Sequence, residues 1–126
     1  MKIFTTGYTD KKIEDLPKLL DSLDAILVDI RFAPVSRQHE WHQNYLQVLL
    51  KNRYRHVQNL GNRSYKEGKI EIQNLELGLR TILSFGTNLV LMCGCADLRP
   101  CHRFVISNEL QKKGFEVDEI ENWKVF

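Results

Sequence analysis

The chain reads as a single three-layer α/β domain over residues 1–126, with a mainly parallel five-stranded sheet and helices on both faces. Three observations predict this. Strand-like and helix-like segments alternate from one end to the other. The second and fourth strand segments, Ala25 to Val28 and Leu89 to Met92, are unbroken apolar runs, as expected of strands covered on both sides. An apolar content of 43% in 126 residues supplies one ordinary core and little more.

Taken in order, Lys2 to Thr6 forms a strand that Gly7 stops, and Ile13, Leu16, Leu19, Leu20 and Leu23 recur at helical spacing. Proline is tolerated in a first helical turn, so Pro17 requires this helix to begin near Glu14 or to kink. The second strand ends at Asp29, Ile30 and Arg31, before a loop with Pro34. Tyr45, Leu46, Leu49 and Leu50 stripe a second helix, and Tyr54 to Leu60 reads as a third strand closed by Gly61. Leu75, Leu79, Ile82 and Leu83 mark a third helix with Gly86 just past its end. After the fourth strand, Val105, Ile106 and Leu110 share a face of a fourth helix that ends in Lys112, Lys113 and Gly114, a favourable charge placement for its dipole. Phe115 to Ile120 supplies the fifth strand.

Right-handed crossovers bring the C-terminal ends of parallel strands to one edge, where ligands of such sheets bind. That edge collects Thr6, Gly7 and Tyr8, then Asp29, Arg31 and Arg37, then Asn59 to Arg63, then Cys93 to Arg103. With 18 basic and 16 acidic residues the net charge is +2, which neither compels nor opposes nucleic-acid binding. The sequence has no apolar run long enough to span a bilayer, and Met1 to Thr6 lacks the apolar centre of a signal peptide. The expectation is a soluble cytoplasmic protein with no membrane partner.

All three cysteines lie between Cys93 and Arg103, and an odd number in one loop is a poor disulfide framework and a better set of reduced thiols or metal ligands. Pro100 suits the first helical position, which places Cys101, His102 and Arg103 in the first turn. A thiol at a helix N-terminus beside basic groups is favoured as thiolate, so Cys101 is a candidate nucleophile or redox thiol, with a buried small hydrophobe as the alternative. For Cys93, which continues an apolar strand, plain burial competes with a catalytic role. Cys93 and Arg99 also spell a C-x5-R loop of the anion-wrapping kind, although Asp97 inside it repels an oxyanion. Cys93, Cys95, Cys101 and His102 are competent zinc ligands, but structural sites draw paired ligands from two separate knuckles. The expectation is therefore no resident metal or cofactor.

Asp29 and Arg31 alternate along one strand end and project to one face, as an ion pair or as acid and ligand-orienting group. Arg31, Arg37 and Arg103 form a candidate anion pocket with the helix N-terminus. His39, Trp41 and His42 form a polar-aromatic cluster, read either as packing or as a base-stacking platform. His56 reads as structural or exposed.

Nearly the whole chain resembles the domain of unknown function 488 (DUF488) family. The resemblance is carried by Ile3 to Thr9, Val28 to Arg31 with Pro34, Ser36 and Arg37, Leu60 with Gly61, and Cys93 through Cys101, His102 and Arg103. It implies an α/β fold and a site built from Asp29, Arg31, Ser36, Arg37, Cys93, Asp97, Cys101, His102 and Arg103. Cys95 stands where that family usually has Glu, which removes a carboxylate and adds a third thiol. The segment from Gly61 to the fourth strand is also shorter than in many members, so that a lid or insert is expected to be missing. The layout of strand, Asp-x-Arg and cysteine loop is more distantly similar to rhodanese-like domains. Two functions follow as expectations. One is a small cysteine-dependent enzyme acting on an anionic or nucleotide-like small molecule, with Cys93, Cys101, Asp29 and His102 catalytic and Arg31, Ser36, Arg37, Asp97 and Arg103 binding. The other is a nucleotide or nucleic-acid binding module in which the arginines contact phosphate and Trp41 or Tyr8 stacks on a base.

Overall fold

The structure is a computed structural model that describes residues 1–95 and 101–126. Its five strands are β1 (Ile3–Gly7), β2 (Ala25–Asp29), β3 (Tyr54–His56), β4 (Asn88–Cys93) and β5 (Val117–Glu119). They form one all-parallel sheet in the order β3-β2-β4-β1-β5. Among the described residues the α-helices are α1 (Asp15–Leu23), α2 (Gln43–Leu50), α3 (Leu75–Leu83) and α4 (His102–Lys112).

Central β4 explains why its sequence does not alternate. Leu89, Leu91 and Cys93 enter a core with Leu79 and Ile82 of α3 and Ile106 and Leu110 of α4. Val90 and Met92 face the opposite core, against Leu16, Leu19 and Leu20 of α1 and Leu46 and Leu50 of α2. Both faces of the strand are dry, so both parities must be apolar. This is the three-layer α/β domain that the sequence predicts.

Pro17 is the third residue of α1, within the first turn, where its missing N–H breaks no helical bond. Asp24 closes that helix in the left-handed region at φ 49°. Asn74 caps α3 by accepting the amide of Leu77 at 3.2 Å. Three boundaries differ from the sequence reading. β3 ends at His56, because the chain turns into a short 3₁₀ segment at Gln58–Leu60. β5 is limited to Val117–Glu119, since the amide of Phe115 still bonds the carbonyl of Leu110 at the end of α4. Cys101 is the N-cap residue of α4, one position before the first turn.

Strand register sets the site. Gly7 pairs with Cys93, Asp29 with Met92 on one side and with His56 on the other, and Glu119 with Thr5. Asp29 and Cys93 therefore sit at the same sheet edge, as the strand-crossover argument requires.

Leu91 is fully buried in the middle strand. Leu91→Ala should lower the unfolding free energy by about 2–5 kcal/mol, because it removes transfer free energy and leaves a cavity. Urea denaturation reads this as a lower midpoint with little change in slope.

Candidate functional site

At the end of β2, Asp29 is fully buried and must find partners for both oxygens. Arg31 grips it with Nε on Oδ1 at 2.8 Å and Nη2 on Oδ2 at 2.6 Å, and Tyr54 of β3 donates its hydroxyl to Oδ2 at 2.6 Å. Burial alone opposes a charge on Arg31, but hydrogen bonding and attraction from Asp29 outweigh it and raise its pKa further. Burial, followed by the Asp29 charge, pushes the Tyr54 phenol well above its ordinary range. Arg31 then extends Nη1 to the Tyr8 hydroxyl at 3.3 Å and lies 5.2 Å over the Tyr8 ring. Trp41 braces that ring from behind, 4.6 Å away between centroids, and itself packs on Trp123.

The cysteine loop hangs from a second buried cation. Arg103 has zero exposure and donates through Nε and Nη2 to both Glu119 oxygens, at 3.1 and 2.7 Å. Its Nη1 reaches the Cys93 sulfur at 3.1 Å and the Cys95 carbonyl at 2.7 Å. Gly7 completes the clamp. A Cβ at that position would lie 1.8 Å from the Cys95 carbonyl oxygen, so the loop can cross β1 only above a glycine. Tyr8 N–H donates to the Cys93 carbonyl, and the Thr9 hydroxyl donates to the Gly94 carbonyl.

The sulfurs of Cys93, Cys95 and Cys101 all lie within 4.8 Å of one another. Cys93 and Cys101 are buried with sulfurs 2.7 Å apart, whereas Cys95 is half-exposed. Three thiols at this spacing cannot all ionise, because a charge on one disfavours a charge on the next. The neighbouring Cys101 and then Cys93 thiols, as donors, and Arg103 favour the ionised form of Cys95 over the penalty of its partial burial, so its pKa is lowered to about 3. Cys93 moves the opposite way, well above the thiol range, through its hydrogen bonds to Cys101 and Cys95 and its burial.

One thiophilic ion could reach the three sulfurs, but the pair separation argues against a tetrahedral site. Zinc–sulfur bonds of about 2.3 Å at a tetrahedral angle separate two sulfurs by roughly 3.8 Å. Cys93 and Cys101 would each have to retreat from their 2.7 Å approach. His102 is buried at the start of α4 and holds Nε2 at 2.8 Å from the Ile30 carbonyl. A carbonyl can only accept, so Nε2 carries a proton there, and Nδ1 faces the Cys101 sulfur at 3.7 Å.

A cavity of about 570 Å³ opens on this edge, with Tyr8, Arg31, Cys95 and His102 on its sheet side and Tyr65 and Lys69 on the other. The segment between Gly61 and α3 builds that second wall, short as it is. Asn62 staples it by accepting the amides of Ser64 and Glu71 and donating to the Lys69 carbonyl.

The structure thus gathers Asp29, Arg31, Cys93, Cys101, His102 and Arg103 at one edge. Asp97, like Arg99 of the C-x5-R pattern and Pro100, lies outside the described residues. Arg37 is exposed, and Ser36 uses its hydroxyl to accept the Gln38 amide at 3.1 Å. The three-arginine pocket is not assembled: Arg31 and Arg103 are each bound to a carboxylate, and of the three only Arg31 lines the cavity. Trp41 is buried against Tyr8 and so offers no face to a base. His56 is half-buried, with Nε2 2.8 Å from the Arg31 carbonyl. Sequence reasoning overlooked Tyr54 and Glu119, although Glu119 ends the fifth strand and the edge argument reaches it. It also treated Cys95 as an extra thiol rather than the one that meets the cavity.

Searches against protein-family models, curated proteins and solved structures each return no match.

Tyr54 contributes a neutral hydroxyl to Asp29, and its raised pKa means that this contribution is intact below about pH 10 and is lost as pH rises further. Tyr54→Phe should cost about 1–2 kcal/mol at neutral pH and flatten the fall in stability between about pH 9 and 11. Urea midpoints of both proteins across that range are the check; an equally steep alkaline fall in the variant would remove Tyr54 as its source.

Proposed function

We propose that the protein is a small cysteine-dependent enzyme acting on an anionic or nucleotide-like small molecule, with Cys95 as the attacking thiolate. One observation carries this reading: Cys95 is the half-exposed member of the sulfur cluster and lies on the wall of the cavity. Catalytic thiols work as thiolates in partly exposed, electropositive surroundings, and the neighbouring thiols and Arg103 provide them here. The cavity volume falls within the range of small-molecule sites. Lys69 offers positive charge to a substrate and Arg31 an oriented guanidinium edge, while Tyr8 and Tyr65 offer ring faces. Cys93 and Cys101 then act behind the nucleophile rather than by meeting substrate, and His102, on the cavity wall beside Cys101, relays protons. Asp29 keeps Arg31 and Tyr8 in position.

The motif resemblance to the DUF488 family supports the same location, since Asp29, Arg31, Cys93, Cys101, His102 and Arg103 among its markers lie at this edge. Among the described residues no helix is long and apolar enough to cross a membrane. Three free cysteines suit a reducing, cytoplasmic setting.

Iodoacetamide at about pH 6 should alkylate Cys95 rapidly and leave Cys95→Ser unlabelled, as peptide mapping would read. Anionic iodoacetate should gain relative to iodoacetamide when compared with a free thiol, and Lys69→Ala should cut that gain by roughly two- to fivefold. Slow labelling of Cys95 that rises only above about pH 8 would remove it as the nucleophile. A second expectation follows from the close sulfur pair: elemental analysis of protein purified without added metal should find well under one equivalent of zinc. Stoichiometric zinc that survives dialysis and disappears in Cys101→Ser would make the loop a metal site instead.

A further inference from the structure

Two of the three thiols are closer to each other than either needs to be for packing. Cys93 ends β4 and Cys101 caps α4, elements that belong to one core, and their sulfurs lie 2.7 Å apart. Closing that gap to a bond of about 2.04 Å asks for little movement of either element. Both sulfurs are buried, at 0% and 1% exposure, and of the three thiols Cys95 is the one on the cavity wall.

We propose that the loop is a three-thiol relay that reduces a disulfide substrate held in the cavity, with Cys95 as the entry thiol and a buried Cys93–Cys101 disulfide as the oxidised end state. This rests on the reading of Cys95 as the cavity nucleophile and names the class of bond it attacks. The Cys95 thiolate attacks one sulfur of the substrate RS–SR, forming Cys95–S–SR and expelling RS⁻. Cys101 gives up its proton, with His102 Nδ1 3.7 Å from its sulfur as the nearby acceptor, and attacks Cys95. The second RS⁻ leaves and a Cys95–Cys101 disulfide remains. Cys93 then attacks Cys101, its proton departs, and Cys95 is released again as thiolate. The two protons lost by Cys93 and Cys101 convert both RS⁻ to RSH, so that one substrate disulfide is reduced as one protein dithiol is oxidised. A dithiol reductant returns the protein to its starting state. Charge favours this order. Cys93 resists ionisation and loses nothing by becoming half of a neutral disulfide, while the negative charge stays on the sulfur that hydrogen bonds and Arg103 stabilise.

The probe is bis(2-hydroxyethyl) disulfide, added to the reduced 126-residue chain after its reductant is removed. Wild type should release about two equivalents of mercaptoethanol, and mapping should find Cys93 linked to Cys101 and Cys95 still open to alkylation. Cys101→Ser, with Cys101→Ala as a second variant should the first fold poorly, should stop at about one equivalent with mercaptoethanol on Cys95. Cys95→Ser should slow the first release by about tenfold or more. Wild type that stops at one equivalent, or a Cys95→Ser variant that keeps the wild-type rate, overturns the relay. Iodoacetamide labelling of the same sample separates the two claims: a Cys95 that labels quickly while no internal disulfide forms sinks the relay alone, and a Cys95 that does not label sinks the enzyme reading with it.

Discussion

A guanidinium with no solvent exposure organises this sheet edge. Burying Arg103 would be prohibitive without a counter-charge, and Glu119 of the edge strand β5 meets it with both oxygens. The remaining face of Arg103 is then committed to the Cys93 sulfur and the Cys95 carbonyl, so one residue joins β5, the end of β4 and the cysteine loop. Burial works against that charge, and the hydrogen bonds to the Glu119 carboxylate hold it. The sulfur cluster consequently lives beside a fixed positive charge. Gly7 permits the arrangement, because any side chain there would occupy the space of the Cys95 carbonyl.

From this constraint the division of labour among the thiols follows. Cys93 is locked at a strand end and Cys101 at a helix cap, both without water, and only Cys95 retains access to the cavity. The two buried thiols and Arg103 lower the pKa of the accessible Cys95 thiol, while burial and its thiol neighbours raise that of Cys93. A parallel arrangement holds the other end of the cavity, where Asp29 neutralises Arg31 while Tyr54 caps the carboxylate. Arg31 is therefore a rigid, oriented donor beside Tyr8. Its net field is that of an ion pair, and Lys69 on the opposite wall supplies charge without an ion-pair partner among the described residues.

The fold was legible because apolar runs such as Leu89 to Met92 cannot be half-exposed, and because parallel strands bring their C-terminal ends together whatever the loops do. Short elements were less legible. Tyr54 to Leu60 alternates like a strand, yet only three residues pair with β2 before the chain turns away. The site was visible as a set of residues and obscure as a set of roles. Helix-terminus logic favoured Cys101, since sequence shows where a helix begins but not that its capping thiol is sealed behind a neighbour. Counting arginines likewise suggested one anion pocket. Nothing in their spacing reveals that Glu119, sixteen positions after Arg103, claims its guanidinium.

The central claim, that one of three neighbouring thiols carries a negative charge at neutral pH and that this thiol is Cys95, is tested most directly by the ultraviolet absorbance of thiolate followed across pH. The account predicts close to one thiolate per chain already present at about pH 6, lost in Cys95→Ser and retained in variants of the cavity wall. An absorbance that rises only near the ordinary thiol pKa of about 8.5, or one that persists in Cys95→Ser, would contradict it.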